Sequence, residues 1–200
     1  MESRETSPPS AGKSSYRMID VGDKPLTHRV AVAQGRIFLS AIVFDRVASK
    51  TLSKGDALAL AEVAGIGAAK KTSDLLPLCH PLSLDKVQVT CTLEPQTTSV
   101  LVTAEAATRG PTGVEMEALC AVSAGLLCIY DLTKALEPAI RMGDIRLVSK
   151  SGGKSGEWKH PEGAPQSVPV ATPLKGLCVG VITISDSVSR GVAEDRSGPT

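Results

Sequence analysis

Val87-Gln-Val-Thr-Cys-Thr-Leu93, then Glu94-Pro-Gln96, then Val100-Leu-Val-Thr-Ala-Glu-Ala106 is the stretch that decides the fold. Val87, Val89, Cys91 and Leu93 alternate with polar residues, as do Val100, Val102, Ala104 and Ala106. A period of two describes half-buried strands, and the Pro-containing turn between them makes an antiparallel hairpin. Around it, Arg29 to Leu39 reads as a further strand and Ile145 to Lys150 as a last one. Ser40 to Ser49 reads as a helix with Ile42, Val43 and Val47 inward, and Asp56 to Lys70 as a second. Gly113 to Ala135 reads as the longest helix, roughly 35 Å at about 1.5 Å per residue. Strands, helices and an antiparallel hairpin together imply an α+β layer, with helices packed on one face of a sheet.

The second helix is rich in Ala and Gly, from Ala57 to Ala69. Such residues admit a close neighbour, so this helix is expected deep in the fold or at a subunit contact. Aromatic residues make up only 2% of the 200-residue chain, leaving Val, Leu, Ile and Ala to build the core. The net charge of +1 supplies no field for nucleic acid or an anionic membrane, and neither is expected as a partner. The longest uncharged apolar stretch, near 118–130, is too short to span a bilayer. The five cysteines form no C-x-x-C and are odd in number, which reads as reduced thiols of an intracellular protein. The cytoplasm is the expected location, with the mitochondrial matrix as the alternative.

Residues 1–15 read as a disordered Ser/Pro-rich leader and 16–160 as the main domain. Prolines recurring at 161, 165, 169 and 173 mark 161–173 as a linker. The apolar run Leu177–Ile184 then reads as a buried parallel strand opening a further domain, 174–200.

Two motifs carry the chemistry. Leu75-Leu-Pro-Leu-Cys-His-Pro-Leu82 holds Cys79 and His80 on a loop stiffened by Pro77 and Pro81. Gly110-Pro-Thr-Gly-Val-Glu-Met-Glu117 sets Glu115 and Glu117 at the start of the long helix, where its dipole favours carboxylates. Two apart, they point to different sides, so they are not a glycosidase-type pair. Each also has a plainer reading, as a turn histidine and as helix N-terminal acids. Asp131 and Lys134 form an i,i+3 pair near the other helix end: either a surface ion pair, or an acid–base couple whose lysine burial would tune downward. Lys54-Gly55 leads into the second helix with Asp56 as cap. Ser149 to Gly156 looks like a P-loop but has Val148 where the first glycine belongs. Its glycines and its lysines, Lys150 and Lys154, still suit an anion. Glu117 and Lys134 are seventeen residues apart on one helix, roughly 25 Å. One small substrate cannot touch both, which argues for an oligomer with sites shared between subunits.

These segments resemble the cyclic pyranopterin monophosphate synthase family, the C protein of molybdenum cofactor biosynthesis. The resemblance runs from Met18-Ile-Asp20 to Gly156. It includes Lys54-Gly-Asp56, Ala64 to Lys70, Asp74 to Pro81, Gly113 to Leu119, Tyr130-Asp131, Lys134-Ala135 and Lys150 to Gly156. It implies a ferredoxin-like antiparallel sheet with helices on one face, assembled as a hexamer of three dimers. It implies a lyase that converts 3′,8-cyclo-7,8-dihydro-GTP to cyclic pyranopterin monophosphate and releases pyrophosphate. Lys54, Asp131 and Lys134 then correspond to the catalytic residues. Leu78, Cys79, His80, Glu115, Met116 and Glu117 correspond to substrate contacts, and Arg29, Lys150 and Lys154 to phosphate or site-edge contacts. No metal site or cofactor is implied, and a divalent ion accompanying the triphosphate is left open. One departure is that the family's Thr-His-containing segment before the Met-Ile-Asp piece is replaced by the polar leader through Tyr16-Arg17. Residues 175–200 resemble the first strand and loop of a molybdopterin adenylyltransferase domain, without the rest of its catalytic segments. A non-catalytic, truncated subunit assembling with full-length partners is the alternative function.

Overall fold

A computed structural model describes residues 16–163. The expected leader, residues 164–173 of the expected linker and the segment 174–200 lie outside the described residues. The elements are β1 (Thr27–Phe38), α1 (Ala41–Ala48), α2 (Ala57–Ala69), α3 (Thr72–Leu75), β2 (Lys86–Glu94), β3 (Ser99–Gly110), α4 (Glu115–Thr133), β4 (Arg141–Ser151) and β5 (Trp158–Lys159). The strands form one antiparallel sheet in the order β2-β3-β1-β4-β5. The α+β class holds, and the first four strands with α2 and α4 follow the ferredoxin-like split βαβ arrangement.

The β2–β3 hairpin has the expected pairing, Val87 opposite Ala106 and Leu93 opposite Val100. A single 3₁₀ turn, Pro95–Thr97, makes the reversal, and Thr98 beyond it is left-handed at φ 46°. Val100, Val102, Ala104 and Ala106 are completely buried under the helices. The opposite face is polar. There Arg36 lies buried against Glu94 at 2.7 Å, Gln34 meets Thr103, and Lys86 pairs with Glu105.

Ala57, Ala61, Gly65 and Ala69 recur every four residues and form the buried stripe of α2. This stripe faces α4 so closely that a Cβ on Gly65 would lie 2.8 Å from the Ala121 carbonyl oxygen. The small residues therefore serve a helix–helix contact within the chain, while Leu60 and Val63 on the far side of α2 are exposed. Leu126 and Ile129 of α4 are fully buried, each contributing about 1.5–3 kcal/mol by leaving water. By length and composition α4 could cross a bilayer, but its inner face is this core.

Four expectations are corrected. Ile42 is 72% exposed; the inward stripe of α1 is Val43, Phe44 and Val47, and Ile42 falls about 100° outside it. Helix α4 is shorter than expected, because Val114 has non-helical torsions and Lys134 closes the last turn onto the Tyr130 carbonyl. Strand β4 begins at Arg141, drawn out by pairing with the twelve-residue β1 through two register shifts. The Gly-rich loop after β4 is followed by a short return strand, β5, which pairs Trp158 with Lys150, before any Pro-rich segment.

Candidate active site

The residues singled out in the sequence fall into two groups at opposite ends of α4. At its N-terminal end, α3 stops at Leu75, and the Cys79 N–H closes a turn onto the Leu76 carbonyl at 3.0 Å. Leu78, Cys79 and His80 then line a pocket of about 460 Å³ together with Glu115, Met116 and Glu117. The loop before α4 is pinned from β1: Arg29 donates to the carbonyls of Gly110 and Pro111 at 3.0 and 3.1 Å. Lys150, on β4, donates to Glu115 at 2.8 Å. Beyond it the chain crosses β1 at Gly152 and Gly153, both with positive φ. A Cβ at Gly152 would collide with the His28 carbonyl, so glycine is required there. Lys154 sits exposed on the same loop.

The two acids behave oppositely. Burial alone would push the Glu115 carboxyl up, but the Lys150 hydrogen bond, its own backbone N–H and the charges of Lys150 and Arg29 outweigh it, so Glu115 titrates below the ordinary range. Glu117 is 4% exposed and forms no ion pair among the described residues. Burial, with the nearby charge of Glu115, raises its pKa despite a backbone hydrogen bond. Burial, with Glu117 and Cys120 adding to it, also pushes the Cys79 thiol up. The pocket thus combines one carboxylate paired with Lys150, one buried acid with a raised pKa, a thiol and an imidazole.

At the C-terminal end, Asp131 bridges two ammonium groups. Lys134 lies 2.7 Å from one carboxylate oxygen and Lys54 lies 3.1 Å from the other. Lys54 reaches this point because Asp56 caps α2, accepting from the N–H groups of Leu58 and Ala59. Gly55, at φ 103°, turns the chain just before that cap. All three charged side chains are about half exposed. The hydrogen bond from Lys134, then that from Lys54, lowers the Asp131 pKa, and Asp131 in turn raises that of Lys134. The expected downward tuning of Lys134 by burial is therefore reversed: the side chain is exposed, and its carboxylate partner holds the proton on. In this geometry both ammonium groups are held on one carboxylate.

The structure thus joins Lys54 to Asp131 and Lys134, and Arg29 and Lys150 to the Glu115–Glu117 and Cys79–His80 pocket. It does not bring the two groups together within the described residues of one chain. The sequence reading missed Arg17, Ile19, Val21, Lys24 and Thr112, which also line the pocket. The period of two in Arg17, Ile19 and Val21 was the available signal.

Comparison with known protein families matches the model of the MoaC family over residues 18–153. The chain belongs to the MoaC family. It is 52% identical, over 182 residues, to the molybdenum cofactor biosynthesis bifunctional protein of Synechococcus elongatus, covering 91% of this chain and 57% of that relative. It therefore spans less than two thirds of the bifunctional relative's length. Over 147 residues it is 48% identical to the cyclic pyranopterin monophosphate synthase of Parvibaculum lavamentivorans, covering 74% of this chain and 92% of that one. Over 141 residues it is 50% identical to the synthase of the same name from Rhodospirillum rubrum, covering 70% and 85%. As a MoaC chain, it has both α4 groups inside the matched region except for Lys154, one residue beyond it.

Proposed function

We propose that the chain is a cyclic pyranopterin monophosphate synthase, a lyase of molybdenum cofactor biosynthesis. It converts 3′,8-cyclo-7,8-dihydro-GTP to cyclic pyranopterin monophosphate and releases pyrophosphate. The observation that carries this reading is the MoaC match across 18–153, with synthase relatives near 50% identity that the chain covers almost end to end. These relatives favour an enzyme over a non-catalytic subunit.

The residues divide by chemistry. Releasing pyrophosphate needs an oxygen nucleophile at the α-phosphorus and cations on the departing charge; Arg29, Lys150 and Lys154 suit that task. Ring rearrangement needs proton donors and acceptors; Lys54 and Lys134, aligned by Asp131, suit the donor role. Leu78, Cys79, His80, Glu115, Met116 and Glu117 contact the ring system. The reaction is redox-neutral and calls for no resident redox cofactor, and a divalent ion travelling with the triphosphate would arrive with the substrate. Because the two groups flank a helix of about 28 Å, the working unit is a homo-oligomer, a hexamer of three dimers, in which one subunit's lysines serve another's pocket. Its relatives are bacterial, which supports a cytoplasmic setting. Residues 16–160 make the synthase domain, and 174–200 open an adenylyltransferase-like domain joined by the linker 161–173. The bifunctional relative, which aligns with 91% of the chain, supports that fusion. The test is incubation of purified chain with the cyclised GTP intermediate. Equal amounts of cyclic product and pyrophosphate are expected, and release of neither by a folded chain overturns the reading.

A further inference from the structure

The segment ahead of β1 forms one wall of the 460 Å³ pocket. Arg17, Ile19 and Val21 all line the pocket. Alternate side chains of an extended segment point to one side, so this spacing makes residues 17–21 a strap with one face on the cavity. The chain then reverses. The Gly22 N–H donates to the Asp20 carboxylate at 2.9 Å, and the Lys24 N–H closes a turn onto the Val21 carbonyl at 3.1 Å. This reversal returns the chain to the pocket at Lys24.

The charges across the pocket are unevenly matched. Glu115 is neutralised by Lys150. Glu117 is 4% exposed, so little of its surface reaches solvent. Arg17 and Lys24 are exposed, and among the described residues neither forms an ion pair. The strap therefore adds two cations, without ion-pair partners among the described residues, to a pocket whose stronger acid is already paired. Ile19 and Val21 between them give it an apolar surface to lay on a ring.

We infer that residues 17–24 are a substrate-binding strap, in which Arg17 and Lys24 take phosphate oxygens of the anionic substrate while Ile19 and Val21 cover its ring. This rests on the synthase reading for the identity of the substrate. The strap's contacts form when the substrate binds, before any bond breaks, so they stabilise the ground state as well as the transition state. Losing them raises KM more than it lowers kcat.

The experiment uses the full chain with Arg17→Ala, Lys24→Ala, the double variant, and Arg17→Lys and Lys24→Arg. Steady-state kinetics on the cyclised GTP intermediate are measured beside calorimetric binding of GTP and of inorganic tripolyphosphate, which need no turnover. Each alanine is expected to raise KM and the Kd for tripolyphosphate about tenfold, with kcat falling less than about threefold. The conservative variants should recover most of the loss, at unchanged melting temperature. Weakened GTP binding with unaffected tripolyphosphate binding would remove the phosphate contacts and overturn the inference. So would a double variant with wild-type KM and Kd, or one that loses kcat and melting temperature together. If the wild-type chain fails to turn over, the synthase reading falls, and the tripolyphosphate series still decides the strap.

Discussion

Asp131 holds two ammonium groups at once, and the proposed donor role of the lysines rests on that arrangement. Lys54→Ala and Lys134→Ala should each lower kcat by about 10²–10⁴-fold, the usual worth of positioned proton transfer. Circular dichroism should stay unchanged, because both side chains are half exposed and carry no core packing. Turnover near normal in either variant would remove that lysine from the mechanism. Glu117 offers a pH signature of the opposite kind. Its folded pKa is raised, so the folded chain binds more protons than the unfolded one in the window between the two values. Its contribution to stability is complete below the ordinary carboxylate pKa and is lost as pH rises through the folded value. Glu117→Gln should therefore melt higher than the parent at pH 7–8, match it near pH 4, and turn over slowly. A melting-temperature difference that does not shrink on acidification would show that the carboxylate's ionisation is not the cause. The pairing of charges at both ends of α4 was not legible in sequence, since Lys54 and Asp131 are 77 residues apart and Glu115 and Lys150 are 35 apart.

Helix α4 acts as the ruler of the site: its length separates the two groups, and its seating fixes where each projects. That seating depends on the glycines. Gly65 of α2 lies against the backbone of Ala121, with Val89 of β2 also 3.1 Å from its Cβ position, and Gly125 of α4 lies against Val102 of β3. Neither the backbone nor a β-branched side chain can yield easily, so Gly65→Val should destabilise the fold by about 1–3 kcal/mol. Denaturant titration would check this, and a loss below about 0.5 kcal/mol would mean that α2 can move away from α4 cheaply. The Ala/Gly content of α2 and the β2–β3 hairpin were both legible, because composition and a period of two are written locally, whereas the stripe that faces α4 was not read. Ile42 was misread because in an eight-residue helix one inward turn can be drawn through several combinations of apolar residues. Only the packed neighbours choose Phe44 over Ile42. Strand β5, two residues long, has no period to read.

The two groups stand about 25 Å apart on one chain, and the proposed homo-oligomer would bring them together between subunits. An inactive Lys134→Ala chain co-expressed with an inactive Glu117→Ala chain should regain part of the activity, because a hybrid oligomer contains sites that draw each intact group from a different subunit. A mixture as inactive as its parts, or a fully active monomer in native mass spectrometry, would defeat the shared-site arrangement. The sequence by itself determined the α+β class, the hairpin, the Ala/Gly helix and the residue types that do chemistry. These follow from side-chain periodicity and from Gly and Pro torsions, which act over a few neighbouring residues. The tertiary structure alone decided that Arg29 grips the loop before α4, that Lys150 neutralises Glu115 while Glu117 is buried with no ion pair among the described residues, and that Arg17 and Lys24 wall the pocket. Each of these depends on contacts between segments far apart in the chain. Such contacts exist only once the sheet has closed β1 between β3 and β4 and brought α4 down upon it.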